Sequence, residues 1–70
     1  MASVYTAITK KSGDWWVGWI EEVPGVNAQE KSKEELLSSL RDILAEALEF
    51  NRTDARLLAE DNYTEELVTL

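Results

Sequence analysis

Along residues 4–30, apolar and polar positions alternate in short runs broken by turn signals. Beyond Ser32 the apolar spacing lengthens to that of a helix. Residues 4–10 mix β-branched and aromatic types and predict a strand. Residues 11–14 predict a turn, with Gly13 free to take positive φ, and residues 15–21 predict a second strand that completes a hairpin. The next break is the strongest. Proline presets φ for the first central position of a turn and glycine accepts positive φ at the second, so Val23-Pro24-Gly25 predicts a type II turn. Residues 26–30 follow as a short third strand.

Ser32 and Glu35 have the spacing of a capping box, and the helix they open is the clearest element of the chain. Leu36, Leu37, Leu40, Ile43, Leu44, Ala47 and Leu48 recur at i, i+3, i+4 and i+7, which gives one apolar stripe. Phe50-Asn51 predicts its end, because asparagine tolerates the left-handed conformation of helix termini. Thr53 or Asp54 then caps a short second helix through Ala59, whose Leu57 and Leu58 are expected to complete the core. Asp61-Asn62 breaks that helix, and residues 66–70 predict a final strand. The order βββα(α)β implies an α+β fold of two layers, a small antiparallel or mixed sheet with helices on one face. Residues 1–70 read as a single domain.

Composition narrows the function classes. Neither cysteine nor histidine is present, so thiol chemistry, thiolate metal sites and the commonest catalytic base are excluded. No apolar run approaches the roughly 20 residues of a membrane span, and no signal peptide is seen, so the expected location is the cytoplasm. A 70-residue domain without disulfide or metal has little core to stabilise it. A homo-oligomer, dimer or higher, is therefore expected. No cofactor is expected: the glycines sit in turns, and no phosphate-binding fingerprint appears.

The net charge of −7 is unevenly spread. Four lysines balance four acids up to Lys33, whereas from Glu34 onward three arginines face ten acids. Such a surface repels phosphate backbones and attracts basic proteins, so direct nucleic-acid binding is not expected. Simple solubility is the plainer account of the same charge.

Tyr5-Thr6-Ala7-Ile8, Gly13-Asp14-Trp15-Trp16-Val17-Gly18, Glu22-Val23-Pro24-Gly25-Val26 and the capped run Ser32-Lys33-Glu34-Glu35-Leu36-Leu37 through Ala45-Glu46-Ala47 together resemble the HicB-like antitoxin family. The resemblance covers nearly the whole chain. It implies a partial RNase H-like or double-stranded-RNA-binding-domain-like βββαβ module without nuclease activity. It also implies a partner, a small basic HicA-like toxin that cleaves messenger RNA. Longer members continue into a DNA-binding domain; this chain matches the N-terminal module alone, so operator binding is not expected of it.

Candidate residues follow from strand parity. Trp15, Val17 and Trp19 fall on one face of the second strand, with Trp16, Gly18 and Ile20 on the other. Helices cover one face of such a sheet, yet both faces are apolar here. Either all three tryptophans serve the fold, or the Trp15, Val17 and Trp19 face is an interface, for self-association ahead of toxin contact. Parity leaves open which face meets the helix. Asp42, Glu46 and Glu49 are the candidate acidic contacts, against the plainer reading of a solvated helix face. Asp14, Glu21 and Glu22 cluster on the predicted sheet, but Glu21 and Glu22 point to opposite faces, so a metal-dependent nuclease is not expected.

Overall fold

The computed structural model describes residues 4–69. Strands β1 (Ala7–Ser12), β2 (Trp15–Ile20) and β3 (Asn27–Glu30) form an antiparallel sheet in the order β1-β2-β3, and one helix, α1 (Lys33–Ala59), packs on one face. The class is α+β, as the pattern predicts. Ser12 pairs with Trp15, so Gly13 and Asp14 alone make the hairpin loop, and Gly13 takes the φ of +62° that a type II′ turn needs at its first position. The second turn is the expected type II: Val26 N–H donates to the Val23 carbonyl across Pro24 and Gly25, the latter at φ +89°.

Strand parity puts Trp16, Gly18 and Ile20 against the helix. Ile20, Val26, Leu36 and Leu40 are the buried core, edged by Tyr5, Ala7, Trp16, Val23, Ala28, Ile43, Leu44 and Ala47. Gly18 sets the closeness of the two layers. A Cβ there would lie 2.7 Å from the Ile8 carbonyl oxygen, 3.1 Å from Leu36 Cδ2 and 3.3 Å from Leu40 Cδ1. Ser39 Oγ donates to Glu30 Oε2 at 2.6 Å and adds a polar tie between β3 and α1. At the other end of the sheet, Thr6 N–H donates to Glu22 Oε1 at 2.8 Å, which holds the approach to β1 against the turn.

Ser32 caps α1 as expected: its backbone is extended, and its Oγ accepts the Glu35 N–H at 3.2 Å. Three expectations fail beyond that point. The helix does not stop at Asn51, and no second helix starts at Thr53 or Asp54; α1 runs unbroken for 27 residues to Ala59. Asparagine tolerates a helix end without imposing one, and residues 33–59 contain neither glycine nor proline to force it. Leu57 and Leu58 do not complete the core. They are 71% and 78% exposed, because the helix has by then passed the edge of the sheet. Residues 66–69 form no strand, and Leu70 lies outside the described residues. The overhanging helix delivers the chain to Glu60, where φ of +61° ends it, and the tail then lies beside the helix rather than beside the sheet. The radius of gyration of 15.3 Å, against about 11 Å for a compact chain of this length, reflects the overhang.

Three outcomes check this description. Ser32→Ala is expected to cost about 0.5–2 kcal/mol, a large share of the roughly 3–5 kcal/mol such a domain holds, read as a lower melting temperature. Gly18→Ala is expected to cost about 1–3 kcal/mol by denaturant titration: the leucine tips can give way, but the Ile8 carbonyl is backbone and cannot. The backbone hydrogen bond from Thr6 holds the Glu22 carboxyl below its ordinary value of 4.5. The folded-state value is the lower one, so the bond's stabilisation is complete above about pH 4.5 and is lost as pH falls through the depressed value. An NMR titration is expected to show Glu22 ionising below 4.5 and the Thr6 amide shifting with it.

Candidate protein-interaction surface

The face of the sheet turned away from α1 carries Trp15, Val17 and Trp19. Trp15 and Trp19 are 37% and 42% exposed and Val17 is half-buried, whereas Trp16 packs half-buried against the core. The pairing register extends this face sideways. Ile8 stands opposite Trp19, Lys10 opposite Val17 and Ser12 opposite Trp15 on β1; Gln29 and Asn27 stand opposite Val17 and Trp19 on β3. Lys31 lays its Nζ 4.1 Å from the Trp15 ring centroid, a cation–π contact that orients the indole at the rim. A tryptophan presents at most about 250 Å², so each ring leaves about 100 Å² in water. Together they would supply about a quarter of the roughly 800 Å² that one partner contributes to a standard interface. That is enough for the centre of a contact and not for the whole.

Asp42, Glu46 and Glu49 share one flank of α1 at i, i+4 and i+7, all exposed. Glu49 stands 3.9 Å from Arg52, and Glu46 borders a groove with Val23, Pro24, Gly25 and Phe50. The sheet separates these acids from the tryptophan face, so the six candidates make two surfaces and not one. Asp14 and Glu21 lie beyond opposite ends of β2, and Glu22 is engaged by Thr6. Among the described residues no group of three or more metal-ligating side chains is placed to hold an ion. None of the described helices is long and apolar enough to cross a membrane.

Two features escaped the sequence reading. Ile8 belongs to the open face; the same parity argument, carried across the hairpin, would have found it. The second is a largely apolar groove of about 340 Å³ on the β1 side of α1, lined by Tyr5, Ala7, Ile20, Leu37, Leu40 and Leu44 among others, with Arg41 at its border. The periodicity put Leu37 in the core stripe, yet it stands exposed in that groove, because the sheet ends at β1. On the overhang, Arg56 Nε donates to Glu65 Oε1 at 3.0 Å, and that contact raises the guanidinium pKa further. No family model, curated protein or solved structure matches the chain.

Proposed function

We propose that this chain is a non-catalytic protein-binding module of the cytoplasm, antitoxin-like in its action, whose open sheet face covers a small basic ribonuclease toxin. The observation that supports the reading is the apolar face of Ile8, Trp15, Val17 and Trp19, which α1 leaves uncovered. Exposed aromatic clusters on a rigid sheet suit the desolvated centre of an interface. Inhibition would be steric. The face would sit over the toxin's RNA-binding surface, and the acids of α1, a layer away, would draw the basic protein in without touching it. The resemblance of the strand, turn and capped-helix motifs to HicB-like antitoxins points the same way. A second reading rests on the same face: self-association in a free-standing domain that has no toxin.

The experiment is a binding measurement against a short basic protein encoded beside this one. Association is expected to be fast at low salt and to slow as ionic strength rises. Asp42→Asn, Glu46→Gln and Glu49→Gln are expected to lower the on-rate. Trp15→Ser and Trp19→Ser are expected to raise the off-rate, by about thirtyfold or more for a residue at the centre of the contact. Trp16→Ser is expected to lower stability instead, since that ring packs against the core. Absence of binding, together with loss of self-association in the Trp15 and Trp19 variants, would favour the second reading. Salt-sensitive binding of duplex DNA or RNA by the isolated protein would overturn both.

A further inference from the structure

β1 is an edge strand beside a groove, and the tail carries an adjacent apolar pair that, among the described residues, joins no sheet. In the tail Thr64-Glu65-Glu66-Leu67-Val68-Thr69, Leu67 is 101% and Val68 85% exposed. Along β1, Glu21 N–H donates to the Thr6 carbonyl, so the alternation of an antiparallel ladder turns the backbone groups of Ala7, Thr9 and Lys11 to the open edge. An added strand would bond to these and press every second side chain into the groove over Leu37 and Leu44.

Charge selects the direction. An antiparallel tail with Val68 beside Ala7 and Leu67 beside Ile8 places Glu66 beside Thr9, Glu65 beside Lys10 and Thr64 beside Lys11. Val68 then enters the groove, Leu67 joins Ile8 and Trp19, Glu65 meets the exposed Lys10 as a cross-strand partner, and Glu66 lies diagonal to Lys11. A parallel tail would set Leu67 and Val68 against those lysines.

Length then identifies the donor. α1 begins at the Lys11 end of the sheet, where Lys33 Nζ lies 5.8 Å from the Trp16 ring, and runs past the Val23-Pro24 turn at the other end. From Ala59 back to the level of Leu36 is about 35 Å of helix. Residues 60–63 span at most about 14 Å. A chain therefore cannot start its own tail at its own Lys11, but a second copy lying antiparallel can. In that arrangement the end of one α1 stands near the start of the other. The reversal at Glu60 and Asn62 turns the tail back along Arg52 and Arg56, which is the direction an antiparallel strand on such a second copy would need.

The geometry points to a reciprocal dimer in which residues 64–69 of each copy add as an antiparallel fourth strand to the β1 edge of the other. The exchange uses the β1 edge and meets the tryptophan face only at Ile8 and Trp19; Trp15 stands opposite Ser12, clear of Leu67, so Trp15→Ser is expected to leave the exchange in place. Sedimentation at micromolar concentration is expected to show twice the 7.9 kDa of one chain. The chain has no cysteine, so Lys11→Cys and Thr64→Cys can be introduced in separate preparations. Oxidising the mixture is expected to join one chain of each kind through a disulfide. Leu67→Asp with Val68→Asp is expected to weaken dimerisation at least about tenfold while the helical circular dichroism persists. Lys10→Glu with Lys11→Glu is expected to weaken it also, and Glu65→Lys with Glu66→Lys to restore it. A species of 7.9 kDa alone overturns the proposal. So does a disulfide that forms only when Lys11→Cys and Thr64→Cys are carried by the same chain, or a dimer indifferent to Leu67→Asp with Val68→Asp.

Discussion

Leu36 and Leu40 are fully buried, and both stand over Gly18, where an added Cβ would meet their methyl groups. This contact lets the helix rest on the backbone of the central strand instead of on side chains. Once it is made, strand parity leaves no freedom. Trp16 and Ile20 share the helix side with Gly18, and Trp15, Val17 and Trp19 must face away. The open tryptophan face is thus a consequence of how the core closes. Among the described residues the buried core is four hydrophobic side chains, too few for the domain to cover a second face from its own chain.

Much of this was legible in the sequence because the signals are local and stereochemical. Pro24-Gly25 can hardly do anything but turn, and Ser32 with Glu35 satisfies helix donors that would otherwise lack partners. Parity along β2 separated the two faces correctly but could not say which one meets α1. That depends on Leu36 and Leu40 finding Gly18 across the layers, a contact between parts of the chain that are distant in sequence. The errors gather where a permissive residue was read as a decisive one. Asn51, Thr53 and Asp54 suit helix ends, yet the run from Lys33 to Ala59 has nothing to stop it. Leu57 and Leu58 fit the helical period, but a period does not tell how far the opposing sheet extends.

The candidate site was legible by residue type and less so by arrangement. Trp15, Val17 and Trp19 do form one face, and Asp42, Glu46 and Glu49 do form one flank. Sequence spacing could not show that the sheet stands between them. The separation divides their roles physically. Packed aromatic area governs how long a complex lasts, whereas charge acting over distance governs how often the partners meet. Neither surface takes residues from the other.

The conformation of the tail bears on where it belongs. Glu60 and Asn62 both take φ near +60° without being glycine. Asparagine accommodates this easily, glutamate less so, and the ψ of −114° at Glu60 lies outside the left-handed helical region as well. Backbone of this kind persists when neighbouring contacts hold it. The contacts here are the backbone hydrogen bonds from Glu60 N–H to the Arg56 and Leu57 carbonyls and the Arg56–Glu65 pair, whose two side chains are exposed and so in reach of competing water. Leu67 and Val68 contribute nothing while they stand in solvent. Such a reversal, joined to two apolar residues that stand in solvent, gains most from a surface that supplies both hydrogen bonds and a groove. The β1 edge offers both, and it sets Lys10 opposite Glu65 and Lys11 diagonal to Glu66, the two glutamates that precede the apolar pair.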